Sequence, residues 1–200
     1  MKINYDEKMQ EEIKTFNGVK KSILLHSCCG PCSTACIERL KEYFDITVLY
    51  YNPNIEPIEE YELRKREQKR LLDILNIKYL DSDYDNADWK RITKPFENDL
   101  EGGRRCSVCF GIRLKYTAKR AKSLHFDYFG TTLTVSPHKN SAIINDIGDK
   151  LGKKIGIKYL FADFKKKDGY KRSIELAKEY ALYRQDYCGC LYSKRWKDEE

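Results

Sequence analysis

Five short apolar runs rich in β-branched and aromatic residues, separated by amphipathic stretches of helical length, limit this chain to one kind of architecture. The runs are "SILLHSC" (22–28), "ITVLYYN" (46–52), "IKYLDSD" (77–83), "FDYFGTTLT" (126–134) and "IKYLFADF" (157–164). The amphipathic stretches cover about 33–44, 57–75, 107–124, 138–151 and 169–182. Strand-helix alternation of this kind predicts an α/β fold, a parallel sheet with helices on both faces. The chain has 200 residues and no internal repeat or low-complexity linker. The expectation is a single α/β domain over 1–200, with a C-terminal segment of about 183–200 covering the active-site rim. Such sheets bind ligands beyond the carboxyl ends of their strands, near a topological switch point. The cysteine cluster after the first strand, "NPN" at 52–54 and "SPHKN" at 136–140 all follow predicted strands, so they should gather on one rim.

The eight cysteines are the second constraint. The N-terminal stretch "MKINYDEKMQEEIKTF" is polar, with no apolar signal core, and no segment is apolar enough over about 20 residues to span a membrane. The expectation is a cytoplasmic protein with no membrane partner. Thiols stay reduced in that compartment, so clustered cysteines point to metal binding or redox catalysis.

Cys29-Gly30-Pro31-Cys32 has the spacing of a thioredoxin dithiol at a helix start, where the macrodipole lowers a thiol pKa. The preceding Cys28, the missing tryptophan and the two further cysteine pairs argue against that reading. Cys28 and Cys29 with Cys106 and Cys109 make four thiolates, suited to zinc or to an iron-sulfur cluster. "GGRRC" at 102–106 reads as a loop entering a helix, which places Cys106 and Cys109 one turn apart on one face. Adjacent cysteines chelate a single tetrahedral ion poorly, and a cubane tolerates them better. Cys188-Gly189-Cys190 is too tight for two ligands of one small ion. A disulfide across one glycine closes a strained, easily reduced ring, and two incidental tail cysteines are the plain alternative. Cys36, a turn beyond Cys32, is expected to be a buried structural thiol. Cys32 is either helix-start packing or a spare ligand.

"HSCCGPCS", "RRCSVCFGIRL", "TTLTVSPHKN" and "YCGCLYS" together resemble, in order and spacing, the cobalamin-independent epoxyqueuosine reductases of the QueH type. The likeness runs from about Ser22 to Ser193. Position 30 is often alanine in that family, and glycine there moves no thiol. The resemblance implies a fold similar to the nucleotide-binding (HUP-like, ATP-pyrophosphatase-like) class. It implies an oxidoreductase of queuosine biosynthesis and tRNA processing, converting epoxyqueuosine at the tRNA wobble position to queuosine with two electrons and two protons. It assigns Cys28, Cys29, Cys106 and Cys109 to a [4Fe-4S] cluster, and Cys188 and Cys190 to a redox-active disulfide. A second metal ion beside the cluster is left open, with Cys32 as its candidate ligand. The implied partners are tRNA carrying epoxyqueuosine and an external low-potential electron donor. The runner-up function is a zinc-stabilised tRNA- or nucleotide-binding module without redox activity, and a thioredoxin-like disulfide reductase stands third.

Three histidines are present. His138 in "SPHKN" is the candidate catalytic one, either protonating the opening oxygen or orienting the substrate. Ser136 is expected to cap the following helix with Pro137 in its first turn, and Lys139 and Asn140 to meet phosphate or base. His26 lies inside a strand and is expected to be a satisfied core residue, and His125 carries no signal. The formal charge is +7, from 38 basic and 31 acidic residues. That excess is moderate and compatible with a polyanion without requiring one. Arg104, Arg105, Lys165 to Lys167, Lys171 and Arg172 lie near the motifs, with Tyr183, Tyr187 and Tyr192 flanking the final cysteines. Phosphate contacts plus base stacking would hold an anticodon-loop nucleotide. The alternative is a solvated basic face over core tyrosines.

Overall fold

The structure, a computed structural model, describes residues 3–195. Its elements follow in order as α1 (Tyr5–Lys14), β1 (Lys21–His26), α2 (Gly30–Leu40), β2 (Phe44–Leu49), α3 (Ile58–Ile74), β3 (Lys78–Leu80), α4 (Asn86–Thr93), α5 (Arg104–Ser123), β4 (Tyr128–Thr131), α6 (Ser141–Ile155), β5 (Lys158–Tyr159), α7 (Gly169–Glu179) and α8 (Leu191–Arg195). The strands form one sheet in the order β3-β2-β1-β4-β5. Every pairing is parallel. Alternate side chains of a strand face opposite ways, and the core divides accordingly. Ile23, Leu25, Ile46, Val48 and Tyr128 pack with Met9 and Ile13 of α1 and with Cys36, Ile37 and Leu40 of α2. Leu24 and Phe129 pack on the other face with Leu114, Ala118 and Ala121 of α5 and Ile144 of α6. Helices therefore cover both faces, as the alternation predicts.

Successive strands step outward from β1 to β2 to β3, then the chain returns to lay β4 on the other side of β1. The switch point is the gap between β1 and β4, and both strands deliver their carboxyl ends there.

Three helices escape the sequence reading: α1, α4 and the short α8. α1 rests on Asn4, whose side chain accepts from the Asp6 and Glu7 amides, and on Met9 and Ile13 buried against the sheet. α4 buries Trp89 and Thr93. The expected helix over 138–151 starts later, and Ser136 is not its cap. β4 runs into a 3-10 turn over Thr132–Val135, and Asn140 caps α6 by accepting from the Ala142 and Ile143 amides at 2.9 and 3.3 Å. No helix among the described residues is long and apolar enough to cross a membrane.

Candidate active site at the β1–β4 switch

β1 ends on His26, which is fully buried. Nδ1 lies 3.0 Å from Thr131 Oγ1 and Nε2 3.0 Å from the Tyr51 carbonyl. Burial, with Arg113 nearby, pushes its pKa down to about 3. His26 is thus a neutral core residue that ties β1 to β4 and to the loop after β2, as expected. Ser27 follows, buried in a polar knot with Ser33 and Gln68. Its hydroxyl donates to Gln68 Oε1 at 2.6 Å, and the Ser33 hydroxyl donates to the Cys29 carbonyl at 2.9 Å.

This knot sets the direction of the two adjacent cysteines. Cys28 lies against β4's exit, its amide donating to Thr132 Oγ1 at 3.4 Å. Cys29 is extended (φ −172°) and is the N-cap of α2, its sulfur accepting from the Cys32 amide at 3.3 Å. α2 begins at Gly30, three residues earlier than its apolar pattern predicts, because Cys29 caps it and Pro31 fits its first turn. That early start brings Cys32 back to the other two. The sulfurs of Cys28, Cys29 and Cys32 all lie within 4.8 Å of one another, and Cys29 and Cys32 are joined as a disulfide. Cys36 is wholly buried, its thiol donating to the Cys32 carbonyl at 3.2 Å, with burial pushing its pKa up. A Cβ at Gly30 would meet nothing nearer than the Glu67 carbonyl oxygen at 3.5 Å, an ordinary contact that accommodates alanine.

The second pair comes from the start of α5. Gly103 is the N-cap, so Cys106 and Cys109 fall on its first two turns, as expected. The Gly102 amide donates to Cys106 Sγ at 3.2 Å. Cys109 is buried beside Trp89 and Cys190. Burial raises both thiol pKa values. The pair stands outside the 4.8 Å group of the first three sulfurs.

Arg113 connects the two groups. It is 1% exposed, and Nη1 donates to Asn52 Oδ1 at 3.3 Å. Among the described residues, Nε and Nη2 have no hydrogen-bond partner. Burial acts to lower its pKa, but the neighbouring thiols of Cys109, Cys188, Cys28 and Cys106 more than offset this and hold the guanidinium charged. Nothing in the sequence marks Arg113, which sits in the basic run "GIRLKYTAKR" and looks like part of a solvated helix face.

Cys188 and Cys190 are held by side chains of α3. Arg64, 2% exposed, donates from Nη1 to the Cys188 carbonyl at 3.2 Å and from Nη2 to the Tyr187 carbonyl at 3.5 Å. Its guanidinium lies 4.9 Å from the centre of the Tyr187 ring, and Glu60 pairs with Nε at 2.6 Å. The Glu56 amide donates to the Gly189 carbonyl at 2.9 Å. Gly189 has φ +109°, and a Cβ there would approach Arg64 Nη1 and Ile55 Cγ1 to 2.9 Å, so this tight turn requires glycine. Both cysteines are free thiols. A hydrogen bond from Cys190 holds Cys188 as the thiolate, with Lys139, Arg113 and Arg64 adding to the effect against burial, while Cys190 is pushed up as the protonated partner.

Cys188 and Cys32 both line a cleft of about 730 Å³, with Glu101, His138, Lys139 and Arg184 among its other walls. His138 lies exposed on the turn before α6, on the rim where it was expected. Several basic residues of the sequence reading are committed elsewhere. Arg105 is buried, donating to the Phe96 and Glu97 carbonyls at 3.2 and 3.1 Å and also to that of Asp99. Lys165 pairs with Asp163, Lys167 with Asp6 and Arg172 with Glu38. The tail tyrosines brace the strap: Tyr183 donates to Glu60 and Tyr187 to the Glu56 carbonyl, while Tyr192 packs on Arg105 and Trp89. The exposed cations Arg104, Lys166 and Lys171 remain on the surface.

A family model described as "Epoxyqueuosine reductase QueH" matches residues 23–196. The Epoxyqueuosine reductase QueH of Streptococcus pyogenes serotype M1 is 46% identical over 202 aligned positions, covering 97% of this chain and 79% of that one. The protein of the same name from Staphylococcus epidermidis is 40% identical, over 96% and 85% of the two chains. That from Thermotoga maritima is 35% identical, over 86% and 90%. Among solved structures, U34-tRNA thiolase NcsA from Methanococcus maripaludis with its [4Fe-4S] cluster aligns with a TM-score of 0.57 at 15% identity, over 94% of this chain and 67% of that one. A predicted subunit of tRNA methyltransferase from Methanocaldococcus jannaschii aligns with a TM-score of 0.54 at 16% identity, over 80% and 74%. At these identities the two structures speak for the fold alone, the α/β arrangement with a parallel sheet and helices on both faces expected from the sequence.

Proposed function

The chain belongs to the epoxyqueuosine reductase QueH family, and from that premise we propose how its residues divide the work. The reaction is the reduction of epoxyqueuosine to queuosine in tRNA: an epoxide oxygen leaves as water and an alkene remains, for two electrons and two protons. The observation that carries the reading is the cluster of Cys28, Cys29 and Cys32, whose sulfurs lie within 4.8 Å of one another, beside a cleft lined by Cys32 and Cys188 and large enough for a modified nucleoside.

The donor set fits an iron-sulfur group. Thiolates are the usual ligands of such clusters. Arg113 offers two buried N–H groups without partners, which an anionic sulfide- and thiolate-rich body would satisfy. Cys28, Cys29, Cys106 and Cys109 would hold a [4Fe-4S] cluster, which requires the Cys29–Cys32 disulfide to be reduced. Cys32 is then released as a donor for a second metal ion beside it. When bound, such a group supplies one-electron transfer and a Lewis-acidic iron.

Cys188 and Cys190 form the redox pair at the cleft. Their oxidation to a disulfide yields the two electrons of the reaction and, with Cys188 as the thiolate, one of its two protons: epoxide, thiolate, thiol and one further proton give alkene, disulfide and water. An external low-potential donor restores the thiols. His138 and Lys139 line the same cleft to orient the nucleoside and meet phosphate. The exposed Arg104, Lys166 and Lys171 extend the positive surface toward the rest of the anticodon arm. The single α/β unit, with its tail strapped over the rim, acts in the cytoplasm where its tRNA substrate is found.

The test is chemical analysis followed by turnover. Anoxically prepared protein is expected to contain iron and acid-labile sulfide and, with reductant, to convert epoxyqueuosine-containing tRNA into queuosine-containing tRNA by mass spectrometry. Colourless protein carrying one zinc and forming no queuosine would sink the proposal.

A further inference from the structure

The reaction needs a proton on the departing oxygen, and the cleft holds an acid that the scheme above leaves without a role. Glu101 lines the cleft together with Cys32, Cys188, His138 and Lys139. Among the described residues, no hydrogen bond or ion pair engages its carboxylate. Acidic side chains on a surface with this many cations are usually paired, as Asp163, Glu38 and Glu60 are here.

The loop that carries Glu101 is fixed in place. Arg105 reaches back from α5 to the carbonyls of Phe96, Glu97 and Asp99, and its own amide donates to Asp99 Oδ2 at 3.2 Å. The Gly103 amide donates to the Leu100 carbonyl at 3.1 Å. Gly102 adopts φ +86°, a left-handed turn natural to glycine, and its amide donates to Cys106 Sγ. One short turn therefore presents the Glu101 carboxyl to the cleft and an N–H to a cluster-ligand candidate. The backbone of this turn is held, and the exposed Glu101 side chain it carries is within the cleft lining, where it can reach a bound substrate.

The geometry points to Glu101 as the general acid of epoxide reduction, lining the cleft together with the thiol strap and the turn that carries His138. This inference rests on the function proposed above. As the C–O bond breaks, Glu101 gives its proton to the oxygen. Cys188 and Cys190 supply the two electrons as their S–S bond forms; Cys188 being the thiolate, the pair releases one proton, from Cys190, which completes the water that leaves, and Glu101 is reprotonated from solvent. His138 is left to orient the nucleoside. The surroundings of Glu101 act on its acidity in opposite directions: desolvation raises its pKa and Cys188 raises it further, while Lys139, His138 and Arg105 act the other way without reversing the shift. A donor of this kind works below its pKa, so activity is lost as pH rises through it.

The experiment is single-turnover conversion of epoxyqueuosine-containing tRNA by cluster-loaded protein across pH, for wild type, Glu101→Gln and Glu101→Asp. Iron, sulfide and tRNA affinity are measured on each. Glu101→Gln is expected to keep its iron and its affinity, to lose about 100-fold or more in rate, and to lose the alkaline limb of the profile. Glu101→Gln turning over at the wild-type rate with the same limb would overturn the assignment. If Glu101→Gln fails to hold iron, Glu101→Asp decides: a slower reaction with its limb moved to lower pH supports the role, and an unmoved limb at the wild-type rate rejects it. A wild-type protein that forms no queuosine removes the functional reading and this inference with it, whereas turnover unaffected by Glu101→Gln removes the inference alone.

Discussion

Between His26 and Cys36 the sulfurs hang on backbone that the fold has already hydrogen-bonded into a strand and a helix, whereas between Tyr187 and Ser193 they hang on Arg64 reaching out from α3 and on one backbone bond from Glu56. In the first region a strand ends, an extended cysteine caps a helix, and the helix carries the next thiols. The central strand cannot form without placing Cys28 and Cys29. In the second region no regular element exists before α8, and Arg64, Glu56 and Tyr187 supply the contacts that a sheet or helix would otherwise supply. The first arrangement suits ligands that must keep fixed positions around an inorganic group. The second suits a dithiol that changes bond state at each turnover and needs a little movement.

The comparison breaks most severely if a sulfur is removed. Cys29→Ser takes away a candidate ligand and the cap of α2 together, while Cys188→Ser takes away only a redox partner. Iron content is expected to collapse in the first and to hold in the second. Multiple-turnover activity is expected to vanish in both. Cys188→Ser sustaining repeated turnover would remove the dithiol from the scheme.

Arg64→Ala tests whether side chains alone hold the strap. The change deletes two donors to carbonyls and the buried partner of Glu60, each loss costing on the order of 1–3 kcal/mol. For a domain of this size about 1 kcal/mol corresponds to a melting shift of about 2–4 °C. Because the sheet does not depend on the strap, most of that loss is expected to appear as local opening of the strap, read as a large rise in proteolytic cleavage near 183–190, with only about 1 kcal/mol of it reaching global melting. A loss of folding altogether would show that the strap belongs to the core.

Thiol reactivity sharpens the same contrast. Cys188 has its pKa depressed, so its thiolate persists as pH falls well below the ordinary thiol value of about 8.5. In native apo-protein its alkylation should therefore stay fast near pH 7, while Cys106 and Cys109, with raised values, react slowly until the medium is alkaline. Mass spectrometry after a brief pulse of iodoacetamide checks this order. Adding Arg64→Ala removes one of the cations that favour the thiolate and should slow Cys188. Equal labelling of all three cysteines would contradict the electrostatic picture.

These contrasts also show where sequence reasoning stops. The sheet was legible because parallel, doubly covered strands must be apolar on both faces, and "SILLH" and "ITVLY" are. The rim followed from the rule that loops after parallel strands meet at one edge. Cys106 and Cys109 followed from helical spacing. Arg64 and Arg113 were not legible, because an arginine in a charged helix looks the same whether its head meets water or a buried carbonyl. Arg105 was misjudged as surface charge for the same reason. Ser136 and Pro137 gave a good local capping signal that the 3-10 turn after β4 overrode by delaying the helix to Asn140. Local rules fixed the thiols carried by regular elements, and long-range side-chain contacts fixed the ones that are not.

The smallest effect comes from the two glycines that sit inside the thiol motifs. Gly189 occupies a left-handed turn with Arg64 and Ile55 too close for a methyl group, so Gly189→Ala is expected to cost about 1–3 kcal/mol locally and to free the strap much as Arg64→Ala does. Gly30 lies in the first turn of α2 with φ in the ordinary region and room for a Cβ at 3.5 Å from the nearest heavy atom. Alanine there restricts the unfolded chain and favours the helix, a gain of up to about 1 kcal/mol, with Cys29 and Cys32 unmoved. Gly30→Ala should leave iron content and turnover at wild-type levels and melt at the same temperature or a few degrees higher. Lower iron content in Gly30→Ala would mean that the α2 start is less firmly set than its hydrogen bonds indicate, and the contrast between a backbone-built and a side-chain-built thiol site would no longer stand.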